Sequence, residues 1–167
     1  MADYETTTED NKCVFCEIAD GNLETPGIFW ESDKFLAFLS KWPNCEGNTV
    51  VIPKAHCDSD VLEMNENDLR DFIVAAKEVS GILKRHFSDV GRIGLIMEGT
   101  GINHAHIKLY PMHKTEYMKR GEWKQIHSDI DTYFEEYGGY LSSNDGPEGN
   151  DNELKKLANK LKIISVE

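Results

Sequence analysis

Short apolar blocks separated by turn residues fill the first half of the chain. Residues 28–31 (Ile-Phe-Trp-Glu) and 35–39 (Phe-Leu-Ala-Phe-Leu) read as two strands, with Ser32-Asp33-Lys34 as a hairpin-length turn between them. A loop carrying Pro43 and Gly47 leads to a third strand, Thr49-Val50-Val51-Ile52, which Pro53 stops. The period then changes. From Asn65, which fits an N-cap, Leu69, Phe72, Ile73, Ala76, Val79, Ile82 and Leu83 recur at helical spacing as far as His86. That stripe predicts a helix with its apolar face in the core. Residues 92–97 give a fourth strand, residues 99–103 a glycine-containing turn, and the stretch 98–111 contains the fifth strand.

Beyond Pro111 the pattern predicts a helix within 119–136, with Trp123, Ile126, Ile130, Tyr133 and Phe134 on one side. Gly138-Gly139 and a polar turn over 142–147 follow, and then a short amphipathic helix over 152–162 carrying Leu154, Leu157, Ala158 and Leu161. Residues 1–11 lack apolar periodicity and are expected to be a disordered acidic tail. The folded part is expected over 12–113, with 114–167 as a helical extension packed on the same domain. Strands, a helix and further strands joined by tight turns predict an α+β fold.

Composition narrows the function classes. The chain has 167 residues, 40% hydrophobic and 29% charged, as in a globular domain with a core of its own. A net charge of −12 argues against broad nucleic-acid binding but leaves room for a small phosphorylated ligand held by a local cluster. No apolar run approaches the ~20 residues of a membrane span. The acidic N-terminus lacks the order of a signal peptide, so a cytoplasmic protein is expected.

The candidate chemistry sits in Glu98-Gly-Thr-Gly-Ile-Asn-His-Ala-His-Ile-Lys-Leu-Tyr-Pro111. As a strand, it puts His104, His106 and Lys108 on one face and Ala105, Ile107 and Leu109 on the other. Gly99-Thr100-Gly101 supplies a backbone that can approach an anion closely. Two imidazoles beside an ammonium suit chemistry on a phosphate, and an ordinary solvated strand face is the alternative. Cys13 and Cys16 form a CxxC, which in a reducing compartment points to metal binding or redox chemistry.

The order of these features resembles the histidine triad (HIT) superfamily. The residues that carry the likeness are Cys13-Val-Phe-Cys16-Glu-Ile18, Phe35 to Ser40, Pro43 through Gly47 to His56, and the His-x-His strand ending at Pro111. They span about 60% of the chain, from residue 12 to 113, and the last third matches nothing in the family's common core. The resemblance implies a five-stranded antiparallel sheet with a long packed helix, a homodimer, and nucleotide binding. It also implies attack on an α-phosphate by the middle histidine, His106, through a nucleotidyl-histidine. Cys13, Cys16, His56 and His104 match in order the zinc ligands of the metal-binding branches, which implies a structural Zn2+.

Departures from the family pattern single out further residues. Lys108 replaces the third histidine; it is a fixed cation that can hold a phosphate oxygen and stabilise transition-state charge. Ser40 stands where many members carry an aspartate for the ribose hydroxyls. The glycine-rich segment is shortened, leaving Gly99, Thr100, Gly101 and Asn103 as phosphate-side candidates, with His113 on the rim of the site. Three readings follow. The first is a nucleotide hydrolase or nucleotidyl transferase acting on a small, purine-type nucleotide through His106. The second is a HIT nucleotide-binding module with little turnover. The third is a CxxC redox or metal-handling protein.

Overall fold

The predicted strand blocks assemble into one antiparallel sheet in the computed structural model, which describes residues 7–9, 11–25, 27–123, 133–142 and 147–164. The sheet comprises β1 (Ile28–Glu31), β2 (Phe35–Leu39), β3 (Thr49–Pro53), β4 (Arg92–Ile96) and β5 (Ile107–Met112), in the order β1-β2-β3-β5-β4. Ser32 closes the β1–β2 turn, its backbone N–H donating to the Phe35 carbonyl at 2.8 Å. The expected α+β class and five-stranded sheet are borne out.

The strand periodicity sorts the side chains into two cores. Phe35, Ala37, Val51, Ile107 and Leu109 face α2 (Glu66–His86), whose Phe72, Ala75, Ala76, Val79 and Leu83 are buried against them. Phe35 and Phe72 stack with ring centroids 5.3 Å apart. On the opposite face Leu36, Phe38, Val50 and Ile52 meet Phe15 and Ile18 of α1 (Val14–Ala19). Apolar burial on both faces explains why β2 reads as a continuous apolar run rather than an alternating one.

α2 starts and stops where the sequence places it. The Asn65 side chain accepts from the Asp68 N–H at 3.1 Å, Glu66 and Asp68 lie in the first turn, and Lys84, Arg85 and His86 occupy the last. Other boundaries move. α1 and the 3-10 turn Val61–Glu63 were not anticipated, and β5 begins only at Ile107, so His104 and His106 precede the ladder rather than lying within it. Their stretch is held by the Ala105 N–H, which donates to the Cys57 carbonyl at 2.8 Å.

The chain divides into two compact units, 1–123 and 124–167. Within the first, Glu116–Arg120 is a 3-10 turn; most of the helix expected within 119–136 falls on residues 124–132, outside the described residues, and 133–136 are not helical. In the second, α3 (Asp151–Ile164) starts under an Asn150 cap whose Oδ1 accepts from the N–H groups of Asn152 and Glu153 at 3.0 and 3.2 Å. Most of the polar turn, 143–146, and most of the acidic tail, 1–6 and 10, also lie outside the described residues. Around them, Thr7 bridges Cys13 and the Thr8 N–H donates to the Lys12 carbonyl. No helix among the described residues is long and apolar enough to cross a membrane.

Candidate functional site

The N-cap and first turn of α1, the loop after β3 and the approach to β5 bring four predicted residues together. The ligand atoms of Cys13, Cys16, His56 and His104 all lie within 4.8 Å of one another. His104 Nδ1 is 3.5 Å from each sulfur, and His56 Nδ1 is 3.4 Å from Cys16 Sγ. His104 is fully buried, and its Nε2–H donates to the Pro53 carbonyl at 2.9 Å. That bond fixes the tautomer and leaves the Nδ1 lone pair facing the thiols. Burial lowers the His104 pKa, outweighing the opposing effect of the Pro53 carbonyl. The Cys16 thiol is pushed up to about 11 by burial and by its neighbour Cys13. Two sulfurs and two imidazole nitrogens within one tetrahedral span are a donor set for a borderline-soft divalent cation, which lowers the pKa of a thiol it coordinates.

His106 follows immediately. It is buried, and its Nδ1–H donates to the His104 carbonyl at 2.8 Å, so Nε2 carries the lone pair. Burial lowers its pKa and Lys108 lowers it further, against the raising influence of the His104 carbonyl and of Glu98. The imidazole is therefore neutral near pH 7. Phe15 makes T-shaped contacts with both rings, with centroids 5.8 Å from His104 and 5.7 Å from His106. Lys108 faces away from the α2 core, and its ammonium pairs with the Glu98 carboxylate. The two side chains are only 28% and 13% exposed.

The 98–103 turn is stitched to the loop that carries His56. Asn103 Oδ1 accepts from the Ser59 N–H at 3.0 Å, and its Nδ2 donates to Asp58 at 3.1 Å. Gly99 adopts φ +65°, and a Cβ there would lie 2.8 Å from the Ser59 carbonyl oxygen. Gly99→Ala combines a left-handed backbone with that clash and is expected to cost about 1–3 kcal/mol. Urea unfolding reads this cost, and the 57–59 loop is expected to shift in a crystal structure of the variant. Gly101, at φ +89°, has open space beside it, and Thr100 is exposed.

The chain is similar to known proteins in sequence and in fold. An uncharacterized HIT-like protein of Methanocaldococcus jannaschii is 31% identical over 133 residues, covering 76% of this chain and 99% of the relative. The chain belongs to the histidine triad superfamily. An adenosine 5'-monophosphoramidase of Schizosaccharomyces pombe is 27% identical over 106 residues, covering 63% of this chain and 77% of that protein. The crystal structure of a HIT family protein from Bacillus anthracis superposes with a TM-score of 0.62 at 22% identity, covering 95% of this chain and 97% of the other. No family model matches the chain.

Two of the predicted residues of this HIT protein lie elsewhere or are engaged otherwise. His113 is at the opposite end of β5 from His106, seven extended residues or about 23 Å along the chain, and so does not rim the His106 site. It ties loops together: Nδ1 faces the Asp89 carboxylate at 3.2 Å, Nε2–H donates to the Glu46 carbonyl at 3.0 Å, and the ring packs edge-on to Phe87. Ser40 Oγ accepts from the Trp42 N–H at 3.1 Å, so the hydroxyl closes the turn after β2. Phe15 and Glu98 are the site neighbours that sequence reading missed. Glu98 had a signal, since an acid two places beyond β4 meets the lysine of a strand paired with it.

The Glu46 carbonyl and the Asp89 carboxylate both raise the His113 pKa. A raised folded-state pKa contributes stability below the unfolded value of about 6.5 that is lost as pH rises through the folded value. His113→Gln is therefore expected to be less stable than wild type at pH 5.5, with the gap narrowing by pH 8.5. Urea midpoints at the two pH values check this; a gap independent of pH would assign His113 a purely steric role.

Proposed function

We propose that this protein is a HIT nucleotide hydrolase or nucleotidyl transferase in which His106 forms a covalent nucleotidyl intermediate. The observation that carries the reading is the Nδ1–H bond from His106 to its neighbour's carbonyl, which presents Nε2 as the lone-pair nitrogen of a neutral imidazole. In the first step Nε2 attacks the α-phosphorus, a P–N bond forms, and the bond to the leaving group breaks, the group departing with the electron pair and, for an amine, with a proton taken from solvent. The imidazolium that results keeps its Nδ1 proton against the His104 carbonyl. In the second step water or another acceptor attacks phosphorus and releases its proton to solvent, the P–N bond breaks, and the lone pair returns to Nε2. Lys108 holds a non-bridging phosphate oxygen and offsets the charge that develops there.

Cys13, Cys16, His56 and His104 would hold Zn2+, which would supply a structural cross-link between α1, the 54–59 loop and the residue before Ala105. The phosphoramidase activity named for the fission-yeast relative makes a purine nucleoside phosphoramidate the first substrate to try. The reading extends to a cytoplasmic homodimer, supported by β4 as an edge strand with Leu95 and Ile73 leaving apolar surface near it.

Intact-protein mass, after rapid quenching without acid, tests the central step. Adenosine phosphoramidate, diadenosine tetraphosphate or a sugar nucleotide is expected to add one nucleotidyl group, and the substrate that does so selects the branch. Nucleotide binding with neither adduct nor product from any of them would replace this reading with that of a binding module.

A further inference from the structure

In a family whose third motif histidine is Lys108 here, the side chain to explain is the one that meets this lysine. The β4–β5 ladder pairs Arg92 with Met112 and Ile96 with Lys108. Continuing that register two places past the last pair sets Glu98 across from His106 and diagonal to Lys108, a spacing that long side chains span. The ion pair realises the diagonal, with the Glu98 carboxylate on the Lys108 ammonium. Glu98 is the more buried of the two, and Gly99, locked against Ser59, anchors the residue that follows it. The carboxylate is thus built in from a rigid turn rather than reaching in from solvent.

We propose that Glu98 is a positioning residue that occupies the Lys108 ammonium in the free protein, aims it along the His106 side of β5, and goes on holding it while sharing it with the phosphate when nucleotide binds. The inference rests on the reading of His106 as the nucleophile for its kinetic consequences, but not for its binding ones. A lysine stem has several rotatable bonds, and an ammonium with no fixed partner samples many of their rotamers. A neighbouring carboxylate limits that freedom and offsets the cost of holding the charge beside a neutral imidazole. The same carboxylate competes with any anion for the cation, so the pair weakens ground-state phosphate binding while improving alignment in the transition state. The net charge of the pair is zero, so the site draws a nucleotide by sharing the ammonium between carboxylate and phosphate and not by a standing positive field.

The test compares Glu98→Gln, Glu98→Asp, Lys108→Met and the Glu98→Gln/Lys108→Met double variant by calorimetric binding of AMP and of adenosine. Glu98→Gln is expected to bind AMP roughly three- to tenfold more tightly than wild type, with adenosine unchanged. Glu98→Asp is expected to return AMP affinity toward wild type, and the gain is expected to vanish in the Lys108→Met background. With the adduct-forming substrate, Glu98→Gln is expected to lower KM and to lower kcat by at least about tenfold. AMP affinity unchanged in Glu98→Gln, or an equal gain when Lys108 is absent, would overturn the proposal. A protein that forms no His106 adduct removes the kinetic arm and the enzyme reading together, while the AMP-to-adenosine ratio still decides whether Glu98 gates Lys108. Thermal unfolding of each variant separates these effects from loss of fold.

Discussion

His106→Ala is expected to reduce turnover of the adduct-forming nucleotide by roughly four orders of magnitude while nucleotide affinity stays within about threefold. The asymmetry follows from what the side chain does. Nε2 supplies the bond-forming electron pair, and neither neighbour on the strand replaces it: Nδ1 of His104 faces the thiols, and Lys108 is a cation engaged by Glu98. Ground-state binding instead falls on the phosphate partners, which the substitution leaves in place. Because His106 is buried, alanine also opens a cavity, and His106→Asn serves as a second variant whose amide can still donate to the His104 carbonyl. Both variants are expected to lose the mass adduct. The lowered pKa of His106 adds a pH signature, since the nucleophile is active only when neutral and the acid limb of kcat/KM is expected below the ordinary imidazole value of about 6.5. Stability follows the same sign: buried neutral histidines contribute above that value and lose their contribution as pH falls, opposite to His113. Turnover in His106→Ala within tenfold of wild type would rule out covalent catalysis at this residue.

Features set by short-range pattern were legible in the sequence. Asn65 and the run from Leu69 to Leu83 contain their own start, face and stop, so α2 appears with its expected cap. The strand blocks at 28–31 and 35–39 were bounded by turn residues and came out with those limits. The four-residue donor cluster was legible because two cysteines three apart and two histidines in family order constrain one another, and the structure brings them together. What escaped depends on long-range packing. α1 has only six residues and is too short for helical periodicity to show; its identity comes from Phe15 and Ile18 filling the back of the sheet. His113 reads as a rim residue because it is close to His106 in sequence, yet an extended strand converts seven residues into about 23 Å. Ser40 and Asn103 carry polar groups that suit a ligand, but the backbone N–H groups of Trp42 and Ser59 already engage them. Short polar side chains in loops meet backbone donors first, and sequence alone does not reveal when they have done so.

Removing the CxxC sulfurs is expected to detach α1 while leaving the sheet and α2 folded. α1 is a helix of six residues, and its N-cap, Cys13, makes no side-chain capping bond. Ordering such a segment costs on the order of 1–2 kcal/mol per residue in backbone entropy. Burying Phe15 and Ile18 contributes about 1.5–3 kcal/mol each, and a one-and-a-half-turn helix adds little cooperativity of its own. Apolar contact alone therefore falls short of the cost of ordering α1, and a metal cross-link joining Cys13 and Cys16 to His56 and His104 would make up the difference. In the Cys13→Ser/Cys16→Ser variant, or after chelation, amide-exchange protection of residues 14–19 is expected to vanish while that of residues 66–86 persists. The unfolding midpoint is expected to fall by about 10 °C, the shift of a loss of about 2–4 kcal/mol in a domain of this size. Phe15 would leave the edge of His106 along with the helix, so turnover is expected to fall even though the nucleophile is intact. Native mass spectrometry of the wild type is expected to show one zinc per chain. A wild-type protein that is metal-free, keeps α1 protected and loses two mass units on mild oxidation would contradict this account, and Cys13 and Cys16 would then be a redox dithiol.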